Sequence, residues 1–245
     1  MRSGFFLTIA AILMTGCSSS PTPPEAETVV MVHGLGRTPM SMALLGERLE
    51  RAGFRVVNFG YPSRTETVEG LVNRLRQAIQ ECCPEDKERI HFVTHSMGGI
   101  IVRAYLAQYS TGHTGHVVML SPPNQGSEIA DTFADSPILS RLLGPAGSQL
   151  GTDSTGIAHQ LGPGSFKIGI ITGNLSLNPL GSWMIPGSDD GKVSIDRARL
   201  EGAIAFLVIP ATHTFIMNRQ DVAAECILFL REGRFSEQLA SRFAH

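Results

Sequence analysis

The chain has 245 residues, of which 42% are hydrophobic and 17% charged, with a formal net charge of −2 at pH 7. A slightly acidic chain lacks the basic excess that nucleic-acid binding requires, so nucleic acid is excluded as a partner. Four cysteines are too few for the disulfide framework of a small secreted protein. Beyond residue 27 there is no internal repeat and no second change of composition, which predicts one domain over 28–245.

The N-terminal segment differs in composition from everything after it. Arg2 supplies a positive charge, and residues 5–14 form an apolar run shorter than the about 20 residues that span a bilayer. Small residues then precede Cys17, and this arrangement resembles a bacterial lipoprotein signal. The resemblance implies a signal peptide over 1–16, lipidation of Cys17 and a tether over 17–27. An ordinary secretory signal cut nearby is the alternative.

The residue after the cysteine bears on location. Ser18 stands where inner-membrane lipoproteins carry Asp, so the resemblance implies a lipid-anchored protein of the bacterial cell envelope, on the periplasmic side of the outer membrane. The remaining cysteines, Cys82, Cys83 and Cys226, allow one disulfide bridge in such a compartment but do not define it.

From Thr28 onward, strand patterns alternate with helical patterns. Six apolar runs read as strands, at 28–33, 54–59, 89–95, 115–121, 166–172 and 203–210. Nearly continuous apolar runs are typical of strands that are covered on both faces. The alternation predicts the α/β class, with about six mostly parallel strands and helices on both faces of the sheet.

Several reactive side chains follow predicted strands directly. His33 follows the first strand, Ser96 the third, Asp190 lies in the loop after the fifth and His213 in the loop after the sixth. In parallel sheets, ligands bind at the carboxyl ends of the strands. We therefore expect these side chains to share one edge of the sheet.

Ser96 lies between a strand and an amphipathic helix, within the segment THSMG (94–98). A serine in this context is most often only a helix cap. The segment also fits a nucleophile elbow, a sharp turn that requires small residues on both sides of the serine. Such a turn projects the hydroxyl above the sheet, at the electropositive start of a helix. The other strand-end residues favour the second interpretation.

A family resemblance rests on four segments in chain order: HGLG (33–36), THSMGG (94–99), SDDGKV (188–193) and ATH (211–213). Together they resemble the α/β-hydrolase superfamily, in its bacterial lipase and esterase branch. Thr94 stands where the family pentapeptide has Gly. The resemblance implies an α/β-hydrolase fold over residues 28 to about 231.

The resemblance also implies roles for individual residues. Ser96 would be the nucleophile, His213 the general base and Asp190 the acid that orients it. The backbone amides of Leu35 and Met97 would form the oxyanion hole. Asp190 is preferred to its neighbour Asp189 because it precedes Gly in the family's D-G-x-V pattern, and Asp189 is expected to face solvent or cap the following turn.

The segment at about 122–165, between the fourth and fifth predicted strands, is long for a connecting loop. The resemblance implies that it is a small lid over the site; a surface excursion is the alternative. Trp183, Met184 and Ile185 could line an acyl pocket or only pack beneath it.

No cofactor and no metal site is predicted, although Asp189, Asp190 and Asp196 leave a calcium loop as a minor alternative. The predicted function is hydrolysis of carboxylic esters, with an ester or lipid-like substrate. Another acyl-transfer enzyme, such as a thioesterase, acyltransferase or amidase, would use the same residues. A non-catalytic lipoprotein on a hydrolase scaffold is the third possibility. The acyl length, the alcohol and the oligomeric state do not follow from the sequence.

Overall fold

The computed structural model describes residues 27–84, 89–109, 113–134 and 136–237. The predicted signal peptide and the predicted lipidation site Cys17 lie outside the described residues. Within the described part of the chain, no helix is both long enough and apolar enough to cross a membrane.

Six strands form a single parallel sheet in the order β2-β1-β3-β4-β5-β6. Their bounds are β1 Thr28–Val32, β2 Arg55–Phe59, β3 Ile90–His95, β4 Thr114–Leu120, β5 Ile168–Gly173 and β6 Ala205–Ile209. Each falls within one of the six predicted runs or within one residue of it. The predicted class, α/β with a parallel sheet of six strands, is confirmed.

The helices connect these strands or extend from their ends. Their bounds are α1 Ala43–Arg51, α2 Val68–Cys82, α3 Met97–Tyr109, α4 Glu128–Ala134, α5 Pro137–Ser148, α6 Ile157–Gln160, α7 Pro179–Met184, α8 Ile195–Ala198 and α9 Gln220–Glu232. Two short 3-10 turns, Pro39–Met42 and Ile216–Asn218, precede α1 and α9.

The sheet has a hydrophobic core on each face. In β1, Val30 and Val32 belong to the core shared with α2 and α3, whereas Val29 and Met31 belong to the core shared with α1 and α9. Successive side chains of a strand point to opposite faces, so a strand covered on both sides is apolar at most of its positions. The helices therefore cover both faces, as predicted.

The chain between β4 and β5 holds α4, α5 and α6. Helix α5 is interrupted at Gly144, which has φ 66°. A side chain there would bring its Cβ within 2.0 Å of the Arg64 carbonyl oxygen, so glycine allows close contact between α5 and the loop after β2. This contact places α5 beside the carboxyl end of the sheet.

Candidate active site

Ser96 occupies a sharp turn between β3 and α3. Its φ of 53° is in the left-handed region, which non-glycine residues adopt rarely and at a cost. A Cβ at Gly98 would lie 2.3 Å from the Val32 carbonyl oxygen, and one at Gly34 would lie 3.0 Å from the Ser96 Cβ. The turn thus requires small residues at these positions, and it holds the hydroxyl above the end of the sheet.

The structure brings His213 and Asp190 to Ser96. His213 Nε2 lies 3.0 Å from Ser96 Oγ, and His213 Nδ1 lies 2.9 Å from Asp190 Oδ2. Because an ionised carboxylate only accepts hydrogen bonds, we assign the proton to Nδ1, which leaves Nε2 to accept from the serine hydroxyl. The backbone amide of His213 also donates to the Asp190 carbonyl oxygen, over 2.9 Å.

Asp190 is buried, with 1% exposure. Burial by itself would raise the pKa of this carboxyl, but His213 and the hydrogen bonds that the carboxylate accepts hold the pKa below its usual value. The other oxygen, Oδ1, accepts from the backbone amides of Val193 at 2.9 Å and Lys192 at 3.1 Å. Asp190 is therefore an ionised, fixed partner for the imidazole.

Asp189 faces away from His213. Its Oδ1 accepts from the Gly191 amide at 2.6 Å and from the Ser182 hydroxyl at 2.7 Å. The sequence predicted that Asp189 either faces solvent or caps the following turn. In the structure it caps that turn and is buried. It also ties the loop to α7 through Ser182.

His95 is a functional candidate that sequence reasoning missed, because its position fits a packing or elbow residue equally well. Its Nε2 lies 2.9 Å from the backbone carbonyl oxygen of His213, and the ring is buried. Burial, with His213 nearby, lowers the pKa of His95 well below its usual value, so the ring is neutral. The position of His95 directly before Ser96 was the sequence signal for a functional role. Its partner, the His213 carbonyl oxygen, is distant in the sequence, so the contact itself could not be predicted.

The two predicted oxyanion donors lie on opposite sides of the serine in the chain. Met97 is the first residue of α3, and Leu35 lies in the turn after β1 that lines the same cavity as Ser96. Neither backbone amide donates a hydrogen bond to another residue in the part of the chain that the structure describes. The Gly36 amide instead anchors this turn by donating to Ser63 Oγ over 2.9 Å.

A cavity of about 350 Å³ opens beside Ser96 and His213. The segment between β4 and β5 contributes apolar side chains to its wall: Ile129, Ala130, Phe133, Leu142, Leu143 and Leu150. Of the three residues before the acid loop, Met184 lines the cavity, Ile185 is buried and Trp183 is 87% exposed. The cavity can therefore hold an apolar group next to the serine hydroxyl.

The aspartates considered for calcium are not gathered into one site. Asp189 and Asp190 accept the hydrogen bonds described above, and Asp196 is exposed, 3.8 Å from Arg199. Among the described residues, no three or more His, Cys, Asp or Glu side chains are grouped so that they could hold a metal ion.

Comparison with solved structures finds similar folds at low sequence identity. Phospholipase PlaB from Legionella pneumophila matches with a TM-score of 0.67 and 17% identity, over 89% of this chain and 62% of that one. The lipase BlEst2 from Bacillus licheniformis, in mature form, matches with a TM-score of 0.61 and 20% identity, over 81% and 89%. Bromoperoxidase from Bacillus anthracis matches with a TM-score of 0.59 and 14% identity, over 85% and 93%.

The chain thus spans about 62% of the length of PlaB. At these identities the likeness establishes the fold. No curated protein sequence matches the chain.

The family model of palmitoyl protein thioesterases matches residues 28–152, from β1 through Ser96 to the end of α5 and just beyond. Since this match covers just over half of the 245 residues, the chain belongs to the palmitoyl protein thioesterase family, and its fold is that of the α/β hydrolases.

Proposed function

We propose that this protein is a serine hydrolase that cleaves carboxylic esters through an acyl-enzyme on Ser96. The observation that carries the proposal is the continuous hydrogen-bonded chain from Ser96 through His213 to Asp190, at one end of an apolar cavity. A serine oxygen is a weak nucleophile at neutral pH, and this arrangement supplies the base and the orienting acid that it needs.

In this mechanism, Ser96 Oγ attacks the ester carbonyl carbon while its proton passes to His213 Nε2. Asp190, across Nδ1, stabilises the imidazolium that forms. The imidazolium then gives the proton to the departing alcohol, which leaves the acyl group on Ser96. A water molecule, activated by His213 in the same way, releases the acid and restores the serine.

The tetrahedral intermediates carry a negative oxygen that must be stabilised. We assign this role to the amides of Leu35 and Met97, which have no acceptor among the described residues. Met97 directly follows the serine at the start of α3, and Leu35 lines the same cavity as Ser96. The α3 N-terminus adds a favourable dipole at Met97. Removal of one such donor typically costs about 100-fold to 1,000-fold in turnover.

A thioesterase is the second candidate, because the matched family is that of palmitoyl protein thioesterases. The same residues would act in the same order, with a thiol in place of the alcohol as the leaving group. In both proposed reactions, the acyl chain of the substrate lies against the apolar side chains that line the cavity. A cavity of about 350 Å³ is near the lower end of typical ligand pockets, which favours short and medium acyl groups.

A serine-reactive fluorophosphonate tests whether the site is active. The wild-type protein should be labelled, and the Ser96→Ala variant should not be, with its fold checked by circular dichroism. A panel with one acyl group presented as ester, thioester and amide then separates the candidates by kcat/KM. Failure to label the wild type would favour a non-catalytic protein on a hydrolase scaffold, and equal labelling of the variant would show that the reactive residue is not Ser96.

The location is a separate part of the proposal and is supported by the sequence alone. Lipid on Cys17 would hold the domain at the periplasmic side of a bacterial outer membrane, with residues 17–27 as a tether. The wild type should incorporate an alkyne-tagged fatty acid and fractionate with membranes, whereas Cys17→Ala should do neither or retain its signal peptide. An unlipidated, soluble wild type in a bacterial host would rule this part out.

A further inference from the structure

Three cationic side chains line the cavity that contains Ser96 and His213. Arg37 lies in the turn after β1, Arg64 in the loop after β2 and Lys192 directly after Gly191 in the acid loop. Among the residues that the structure describes, those that line this cavity include no Asp or Glu. A cavity with an apolar wall and three positive charges is suited to a ligand that is apolar in one part and anionic in another.

These cations have no carboxylate partner within ion-pair distance among the described residues. Arg37 donates one long hydrogen bond, to the Thr214 carbonyl oxygen at 3.4 Å, and neither Arg64 nor Lys192 forms an ion pair with any residue that the structure describes. Other arginines of the chain do form such pairs, as Arg197 does with Glu128 at 2.8 Å. The three positive charges are therefore available to an anion from outside the protein.

The cations are also close enough to affect one another. The pKa of Lys192 is lowered mainly because the surrounding protein desolvates its ammonium group. The positive charges of Arg37 and Arg64 lower this pKa further, whereas the negative charge of Asp190 raises it. Like charges repel one another, and Asp190, the carboxylate that opposes them, is hydrogen-bonded to His213 and forms no ion pair with these cations. A bound anion would remove this repulsion.

The position of Arg64 is set by close packing. Its guanidinium lies over Gly36, where a Cβ would come within 2.6 Å of Nη2, and its carbonyl oxygen lies against Gly144 of α5. Gly36 belongs to the same turn as the Leu35 amide. The charge of Arg64 is thus held beside the turn that carries Leu35, one of the two predicted oxyanion donors.

We infer that the preferred substrate is an acyl ester or thioester whose leaving group carries a phosphate, which Arg37, Arg64 and Lys192 bind. The inference rests on the proposed function and specifies its substrate class. The apolar wall takes the acyl chain, so the anion must belong to the part of the substrate beyond the scissile bond. Arginine forks match phosphate oxygens in a bidentate manner, and a nearby lysine adds a third positive charge.

Two kinds of molecule join an acyl group to a leaving group that carries phosphate. One is a glycerophospholipid, and the other is a thioester of phosphopantetheine, as in an acyl-coenzyme A. Each has a neutral counterpart that lacks the phosphate. We would compare phosphatidylglycerol with diacylglycerol of the same chains in the same neutral micelles, by fatty-acid release. Octanoyl-coenzyme A would be compared with octanoyl-N-acetylcysteamine, by thiol release.

The wild type should prefer the phosphate-bearing member of at least one pair by about tenfold or more in kcat/KM, and the pair that shows it identifies the source. This preference should fall several-fold in the double variant Arg64→Gln/Lys192→Gln. A matched double variant at exposed cations outside the cavity, Lys167→Gln/Arg234→Gln, loses the same charge and should retain the wild-type preference.

Salt provides a measurement that needs no variant. The preference of the wild type should decrease as ionic strength rises from about 0.01 M to about 0.5 M, because screening weakens exposed charge interactions. Hydrolysis of the neutral substrates with no preference in either pair would overturn the inference alone. A preference equally large in both double variants and insensitive to salt would also overturn it. Absence of hydrolysis of all four substrates, with no fluorophosphonate labelling, would overturn the proposed function and the inference together.

Discussion

His95 donates a hydrogen bond from its Nε2 to the backbone carbonyl oxygen of His213, over 2.9 Å. A carbonyl oxygen only accepts, so this bond fixes the tautomer of His95 and leaves its Nδ1 without a proton. Nδ1 has no partner among the described residues. Since His95 directly precedes Ser96, a single dipeptide contacts both the imidazole and the backbone of His213.

The first prediction concerns this contact. Replacing His95 by Phe keeps a ring but removes the donor, so the His213 backbone loses one of its anchors. We expect kcat to fall by about 10-fold to 100-fold with little change in KM, because the geometry of proton transfer is disturbed and not the binding of the acyl group.

Two further measurements separate positioning from a general loss of packing. The pH dependence of kcat/KM should change in His95→Phe, because the environment of His213 changes. His95→Gln can still donate to the carbonyl oxygen and should restore part of the activity. A Phe variant with wild-type turnover and an unchanged pH profile would show that the contact has no role in positioning.

The second prediction concerns the two adjacent aspartates. Asp190→Ala should lower turnover by about 10⁴-fold, and Ser96→Ala or His213→Ala by about 10⁶-fold, as in hydrolases with this arrangement. Asp189→Ala removes a turn cap without touching His213 and should cost about tenfold or less, on the order of 1.4 kcal/mol. Steady-state kinetics of the four purified variants check the series. If Asp189→Ala were the more damaging of the two aspartate changes, the assignment of the acid would be wrong.

The third prediction concerns a buried arginine that joins α3 to the segment before β5. Arg103 donates to the carbonyl oxygens of Asn124 at 3.0 Å, Ala158 at 3.1 Å and Gly162 at 2.7 Å, and burial lowers its pKa to about 10. Lysine cannot reach all three acceptors from one point. Arg103→Lys should therefore reduce the free energy of unfolding by about 2–4 kcal/mol, measured by urea denaturation.

A matched control for Arg103 is an exposed arginine that packs on a ring. Arg76 lies over the Tyr109 ring, with 4.5 Å from Cζ to the centroid. Arg76→Lys should change the free energy of unfolding by no more than about 0.5 kcal/mol. Equal effects of the two substitutions would mean that the buried hydrogen bonds of Arg103 contribute nothing specific.

The fourth prediction is a pH dependence of stability that originates at His91. This ring is fully buried, and its Nδ1 accepts from the His116 amide at 2.9 Å. Burial lowers its pKa from 6.5 to about 4, with Glu27 acting in the opposite direction and His116 and Arg89 in the same direction. Above pH 6.5 both folded and unfolded forms are neutral, and the stability is complete. As pH falls from 6.5 towards 4, the unfolded state binds a proton that the folded state does not, so stability decreases by up to about 3 kcal/mol.

Denaturation at pH 7 and at about pH 4.5 measures this loss. His91→Gln keeps an acceptor for the His116 amide but cannot be protonated, so its stability should change less over the same interval. His113→Gln, at an exposed position, should leave the wild-type pH dependence unchanged. A wild type that is equally stable at both pH values would contradict the prediction.

The fold and most of the candidate site could be predicted because their signals are local. A buried parallel strand is mostly apolar on both faces, and most of the six runs show this in consecutive residues, whereas the edge strand β2 is only partly buried. The tight turn at Ser96 requires Gly98 within two positions, and the turn after Asp190 requires Gly191, which has φ 99°. Such signals need only a few neighbouring residues, so the sequence by itself determined the class and the strands and placed Ser96, Asp190 and His213 in the turns and loops that follow strands. Their roles came from the family resemblance and stay a prediction.

Other features depended on residues that are distant in sequence and have no periodic pattern. His95 reads as one more strand residue until β3 and the loop after β6 place it against the His213 carbonyl oxygen. Arg37, Arg64 and Lys192 lie on three separate loops, and nothing in their local sequence indicates that they share a cavity. A parallel sheet gathers the carboxyl ends of its strands at one edge, but loop conformation and side-chain packing decide which side chains meet there, and only the tertiary structure supplies both.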